Sequence, residues 1–135
     1  MPTKMKQAIF DYMKRRSNVT FAELNRQIDG FRIPDDTSLY MLNGESNIVL
    51  WWGMSQTAVD AMHALITDDW ICMESTDELV YFCDGEGLTL PIAKRLNYNY
   101  KKPRWLPAVF NLTTTGKLQR QKQLVAAAKG GASNG

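Results

Sequence analysis

The side chains best suited to covalent or acid–base chemistry are few and scattered. A single histidine, His63, follows Asp60 at a spacing that lets two side chains meet on a helix, yet no nucleophile pairs with them. Cys72 and Cys83 with one His fall short of a four-ligand zinc set, and they read as reduced strand residues in a cytoplasmic setting. The acidic pairs Asp35-Asp36, Asp68-Asp69 and Asp77-Glu78 read as caps and turns rather than as a general acid and its base. Asp84-Gly85-Glu86-Gly87 has glycines but neither the GxGxxG spacing nor a phosphate-binding lysine. Trp51-Trp52 suits a core position with an edge contact better than a ligand platform. The expectation is a non-enzymatic protein with no catalytic residue, no metal ligand and no cofactor.

What remains is charge, and its placement is uneven. Residues 1–32 carry a net +4, residues 33–93 hold eleven acids and no Lys or Arg, and residues 94–135 carry nine Lys/Arg and no acid. The overall +2 describes none of these segments. Blocks of one sign mark tails or interaction surfaces. From Lys94 to Trp105 cations alternate with aromatics, a composition in which Lys/Arg hold phosphates while Tyr98, Tyr100 or Trp105 stack on bases. The same stretch also fits a linker whose aromatics pack on the body. The candidate nucleic-acid contacts are Lys14, Arg15, Arg16 and Arg26 in the first basic block. Lys94, Arg95, Lys101, Lys102, Arg104, Lys117, Arg120 and Lys122 supply the second. The expected partner is double-stranded DNA. The competing reading is an adaptor whose acidic 33–93 surface docks a basic protein.

The elements that must position these charges can be read from periodicity. At 135 residues the chain fits one domain with a tail. The longest apolar run, Ile48–Trp52, is far short of the roughly 20 residues that span a bilayer, and no apolar stretch near Met1 suggests a secretory leader. Residues 4–16 predict an amphipathic helix with Met5, Ile9, Tyr12 and Met13 inward and Lys6, Lys14 and Arg15 in water. Thr20 to Glu23 reads as a capping box opening a second helix that Asp29-Gly30 ends. Asn43-Gly44 marks a turn, and Ile48–Trp52 a strand buried on both faces. Ser55 caps a third helix to about Asp68, with Val59, Met62, Leu65 and Ile66 inward and Gln56, Thr57, Asp60 and His63 outward. Trp70–Ser75 and Leu79–Cys83 predict a hairpin in which Cys72 opposes Cys83. The expected organisation is a body over 1–93, a basic-aromatic segment docking on it over 94–112, and a mobile basic tail over 113–135. The last residues, 130–135, are expected to be disordered.

The run Val19-Thr20-Phe21-Ala22-Glu23-Leu24, the helix Ser55-Gln56-Thr57-Ala58-Val59-Asp60-Ala61-Met62 and the pair of extended runs after Trp70 give an order of elements over residues 4–85. That order resembles the winged-helix superfamily. The resemblance implies an α+β fold of three helices with a β-hairpin wing, here with an extra strand between the second and third helices and a basic C-terminal arm. It further implies that the third helix is a recognition helix, with Gln56, Thr57, Asp60 and His63 facing a major groove. That face holds no cation, and the wing carries Glu74, Asp77, Glu78, Asp84 and Glu86. Phosphate contacts must therefore come from the basic N-terminal helix and the C-terminal arm.

Overall fold

Two short sheets share one aromatic core, and the segment that joins them decides where the charges go. The computed structural model describes residues 3–43, 45–95 and 98–134, without the side chains of 43 and 127–134; the turn expected at Gly44 lies outside the described residues. The chain is α+β. In order, the described elements are α1 (Lys4–Met13), β1 (Val19–Thr20), α2 (Phe21–Gln27), β2 (Leu39–Asn43), β3 (Ile48–Trp52) and α3 (Gln56–Thr67). They continue as β4 (Ile71–Ser75), α4 (Glu78–Cys83), β5 (Arg104–Trp105), β6 (Ala108–Leu112) and α5 (Thr114–Asn134). The first sheet runs β1-β6-β4, antiparallel throughout. The second runs β2-β3-β5, with β5 parallel to β3.

The local signals that set the helix starts behave as the sequence predicts. Thr20 Oγ1 accepts the Glu23 N–H at 3.1 Å and Ser55 Oγ accepts the Ala58 N–H at 3.2 Å, each satisfying a donor that has no intrahelical partner. The reciprocal half of the capping box is absent. Glu23 turns its carboxylate to the Tyr12 hydroxyl, which donates at 2.6 Å, and Thr20 gives its own proton to Asp84. The β-branched and aromatic run Ile48–Trp52 is a strand buried over its first four residues. α1 ends at Met13, short of residue 16, where the chain turns through Asn18 in the left-handed region at φ 52°. Of the inward set expected on α3, Met62 and Leu65 are buried with Ala58 and Ala61, whereas Ile66 is exposed.

The hairpin expected after Trp70 is not formed. β4 exists, but Leu79–Cys83 lies in α4, a single helical turn and a half. Asp77 caps it, accepting the Leu79 N–H at 2.9 Å, and Glu78 sits where carboxylates favour a helix N-terminus. The strand reading put Val80 and Phe82 on the core side. The helix instead buries Tyr81 and leaves Leu79 and Phe82 exposed. β4 finds its partner thirty residues later in β6, so Cys72 opposes Asn111 rather than Cys83. A Leu/Val/Tyr/Phe run of this length satisfies either period, and the one local signal for the helix is a capping Asp77.

Tyr81 joins the two sheets. Its hydroxyl accepts the Phe21 N–H at 3.2 Å and donates to the Ala108 carbonyl at 2.6 Å. Its ring lies 5.4 Å from Trp51 and meets Trp105 edge-on at 5.0 Å, while Phe21 stacks on Trp51 at 5.9 Å and meets Phe110 edge-on at 5.0 Å. Such pairs add to the area that aromatics bury. Burial pushes the Tyr81 phenol far above its ordinary range, against the smaller downward pull of its backbone hydrogen bonds. Replacing Tyr81 with Phe keeps the ring and strands the Phe21 N–H, so we expect a loss of about 1–3 kcal/mol in urea unfolding at neutral pH. The phenol's raised pKa also means that stability is full below about pH 10 and falls above it. The Tyr81→Phe variant should lose less on going from pH 9 to pH 11, and an equal loss would show that this hydroxyl does not govern the alkaline limb.

Candidate nucleic-acid interface

Two of the expected basic groups meet in space. The C-terminal end of α1 and the following turn supply Lys14, Arg15, Arg16 and Ser17. β6 supplies Asn111 and Leu112, and the first turns of α5 supply Lys117 and Arg120. Together with Met13 they line a cleft of about 460 Å³ that contains no carboxylate in its wall. A concave site lined by one sign of charge concentrates its potential.

The cleft exists because α5 is anchored where the sequence suggests a loose loop. Thr113 and Gly116 lie against the end of α3 and the start of β4. The Thr113 N–H donates to the Trp70 carbonyl at 3.1 Å, the Thr113 hydroxyl donates to the Asp69 carbonyl, and the Gly116 N–H donates to Thr113 Oγ1 at 2.9 Å. Further along, Gln123 accepts from Lys14 Nζ at 2.7 Å and from Gln7 Nε2 at 3.1 Å. The segment expected as loop over Thr113–Gly116 and disorder from residue 130 is helix from Thr114 to Asn134; Gly135 and the Lys129 side chain lie outside the described residues. The floor is fixed by a second backbone device. Asn18 and Asn111 exchange two bonds, Asn18 N–H to Asn111 Oδ1 at 2.8 Å and Asn111 Nδ2 to Asn18 Oδ1 at 2.9 Å. Ser17 and Asn111 were not anticipated as part of a site, since nothing in sequence relates a turn after the first helix to a strand ninety residues on.

Not every cation in the cleft is available. Lys14 pairs with Asp11 at 2.8 Å. Burial pushes the Asp11 carboxyl up, but its hydrogen bonds to Lys14 and Gln7 together pull it below its ordinary value, so it stays ionised and keeps Lys14 compensated. Arg16 lies 3.6 Å from Glu23 and over the Tyr12 ring. Arg15, Lys117 and Arg120 form no ion pair among the described residues. Lys6, expected in water, is instead buried against Asp68 at 2.6 Å and over the Trp70 ring at 4.2 Å.

The other expected contacts lie elsewhere. Lys94, Arg95, Tyr98, Tyr100 and Arg104 line a second, smaller concavity, with Lys101 and Lys102 exposed beside it. Here the tyrosines are partly occupied by their own chain: Arg95 lies over Tyr98 at 5.9 Å, Arg104 over Tyr100 at 4.9 Å, and the two rings are 4.9 Å apart. Trp105 is wholly buried in the core and is not available for stacking. This second group belongs to the excursion that leaves the β4–β6 ladder at Ser75 and Ala108. The cleft borders its opposite end, at Ile71 and Leu112. Arg26 is exposed on α2, and its guanidinium approaches Gly85 between Asp84 and Glu86. On α3, Gln56, Thr57, Asp60 and His63 are exposed together, but Gln56 Nε2 donates to Asp60 Oδ1 at 2.8 Å and Thr57 Oγ1 lies 3.1 Å from Ser55 Oγ. Among the described residues no three His, Cys, Asp or Glu side chains gather as a metal site requires, and no helix is long and apolar enough to cross a membrane. Comparison of the chain with family models, curated proteins and solved structures finds no match.

Gly116 is the test of the cleft's geometry. A Cβ at this position would collide with the Trp70 carbonyl, which is backbone and has little room to move. We expect Gly116→Ala to cost about 1–3 kcal/mol of α5 docking. Hydrogen exchange over 114–126 should then accelerate while α1 and β6 keep their protection. Unchanged protection of 114–126 would show that the helix is held by its later contacts alone.

Proposed function

We propose that the chain is a non-enzymatic, nucleic-acid-associated regulator that binds double-stranded DNA through the α1–α5 cleft, on a winged-helix-like body. The observation that carries this reading is the convergence of Arg15, Lys117 and Arg120, none in an ion pair among the described residues and drawn from opposite ends of the sequence, in one concavity whose lining holds no carboxylate. Guanidinium and ammonium groups so placed neutralise phosphates and release condensed counterions, the main source of sequence-independent affinity. The winged-helix likeness draws support from β1 lying between the first two helices, and from β4 and β6 pairing antiparallel after α3. In that comparison residues 76–107 replace a short wing. The α3 face is a poor reader of a groove. Its one amide suited to adenine is spent on Asp60, and a carboxylate about 5 Å from a phosphate costs on the order of 1 kcal/mol even in water. The second basic group, around Arg95 and Arg104, lies beyond the other end of the β4–β6 ladder and offers phosphate a separate, weaker contact.

Anisotropy with duplex DNA tests the reading. Neutralising about five phosphates gives a log–log salt slope near −4.5. Reversing Arg15, Lys117 and Arg120 to Glu should reduce that slope by about 2.7. Gln56→Ala and His63→Ala should leave affinity within about twofold. Deleting 113–135 should leave cooperative unfolding intact and reduce the slope by up to about 3.6. No binding at about 50 mM salt, or binding that the triple reversal leaves untouched, would refute the cleft as the site.

A further inference from the structure

The helix α5 is amphipathic the wrong way round. Its body-facing side is polar: beyond Gly116, Gln123 makes the contacts to α1, and Gln119 and Arg120 are half-buried beside it. Its outer side carries the large apolar residues, with Leu118 exposed at 55%, Leu124 at 62% and Val125 at 50%. A helix that docks on its own domain normally does the opposite. Leu118, Gln121, Lys122 and Val125 recur at i, i+3, i+4 and i+7, one face of the helix, and Leu124 with Lys117 and Gln121 forms its shoulder. Every charge on this surface is positive, because no acid occurs from Lys94 to the end of the chain.

Within the acidic segment, the most exposed large apolar residues among those described lie on α4. α4 exposes Leu79 at 66% and Phe82 at 53%, one turn apart. Glu78 stands beside them on the same short helix and Asp77 caps it, while Glu74 lies four residues before Glu78 in sequence; all three are exposed, in a segment with no Lys or Arg for 61 residues. None of these three pairs with a cation among the described residues. Two copies of α5 brought face to face would set lysine against lysine, whereas α5 on α4 sets Lys117 and Lys122 against Glu74 and Glu78 around a shared apolar centre.

We propose that the occupant of the α5 face is a second copy of this chain, docked through its α4 turn. The contact joins two different patches, so it closes as a symmetric pair when both are made at once and as a ring or chain otherwise. It identifies the basic partner of the acidic segment as the chain's own C-terminal helix.

Sedimentation equilibrium of the full chain without nucleic acid is the experiment. The patches are small and the contact weak, so concentrations up to about 500 µM are needed. The weight-average mass should rise above that of the monomer with concentration and fall back at about 1 M salt, where the screening length is about 3 Å. Leu79→Ser with Phe82→Ser, and Leu118→Ser with Leu124→Ser, should each be folded by circular dichroism and at least tenfold weaker in self-association. Mixing these two variants should restore association, because one intact α4 then meets one intact α5. Lys117→Glu with Lys122→Glu should also abolish association, and Glu74→Lys with Glu78→Lys in the other component should rescue it. A chain that stays monomeric throughout overturns the proposal. So does association that survives the α4 changes and is lost only with the α5 changes, which would mean that α5 pairs with itself.

Discussion

The placement of Tyr81 is the constraint on which the rest of the molecule depends. A β4–β6 pair separated by thirty residues would leave a long, loose loop if nothing fastened it. α4 fastens it by inserting one phenol between Trp51 and Trp105, where the hydroxyl meets one donor from Phe21 and one acceptor on Ala108. Those two backbone groups belong to the start of α2 and the start of β6, so a single side chain sets the spacing of α2, the first sheet and the second. β5 pairs parallel with β3 and brings Trp105 against the same ring. Only a tyrosine does this: Phe leaves the donor unpaired, and a larger ring has no room beside two tryptophans that are already wholly buried.

Once the excursion is fastened, the charges are sorted by what they can reach. The N-terminal cations lie within reach of acids and largely use them: Lys6 takes Asp68, Lys14 takes Asp11, Arg16 takes Glu23 and Arg32 takes Glu86. The described cations from Lys94 onward form no such pair. Ion pairs at a surface contribute little to stability, so this sorting matters less for folding than for what is left over. The excess is positive in the α1–α5 cleft and negative on α4, two separate surfaces with opposite sign and different shape.

Much of this was legible in the sequence where a local rule decides the structure. Thr20 and Ser55 fix helix starts because a hydroxyl one residue before a helix satisfies backbone donors whatever happens elsewhere. Ile48–Trp52 is a strand because its β-branched and aromatic run suits a doubly buried pleat. Local rules failed where distant partners decide. Leu79–Cys83 is short enough to satisfy strand or helix, and the choice was made by the pocket waiting for Tyr81. Lys6 was placed in water by its charge, yet Asp68 and Trp70 offer it a buried seat that no pattern around residue 6 reveals. The cleft was half legible: the basic blocks were visible, but their meeting depends on Asn18 clasping Asn111 and on Gly116 lying flat against Trp70. For α5, counting large apolar residues argued that the tail could not repay its own ordering. The structure agrees in one respect, since those residues stay half or more exposed.

That last point bears on both surfaces at once. A helix that leaves Leu118, Leu124 and Val125 half or more exposed gains its order largely from elsewhere: from the anchor at Thr113–Gly116, from Gln123, and from whatever covers those three. The proposed partners draw on overlapping groups. Lys117 lines the cleft offered to phosphate and also borders the apolar face offered to α4. A cation neutralised by a phosphate no longer attracts a carboxylate, so occupancy of the cleft weakens the contact between copies, and by linkage that contact weakens nucleic-acid binding by the same factor. Both interactions are screened by salt, but not equally. The phosphate contacts fall with a slope set by the ions released, whereas the α4–α5 contact falls only as its charge pairs are screened. At low salt the chain is therefore poised between two uses of one helix.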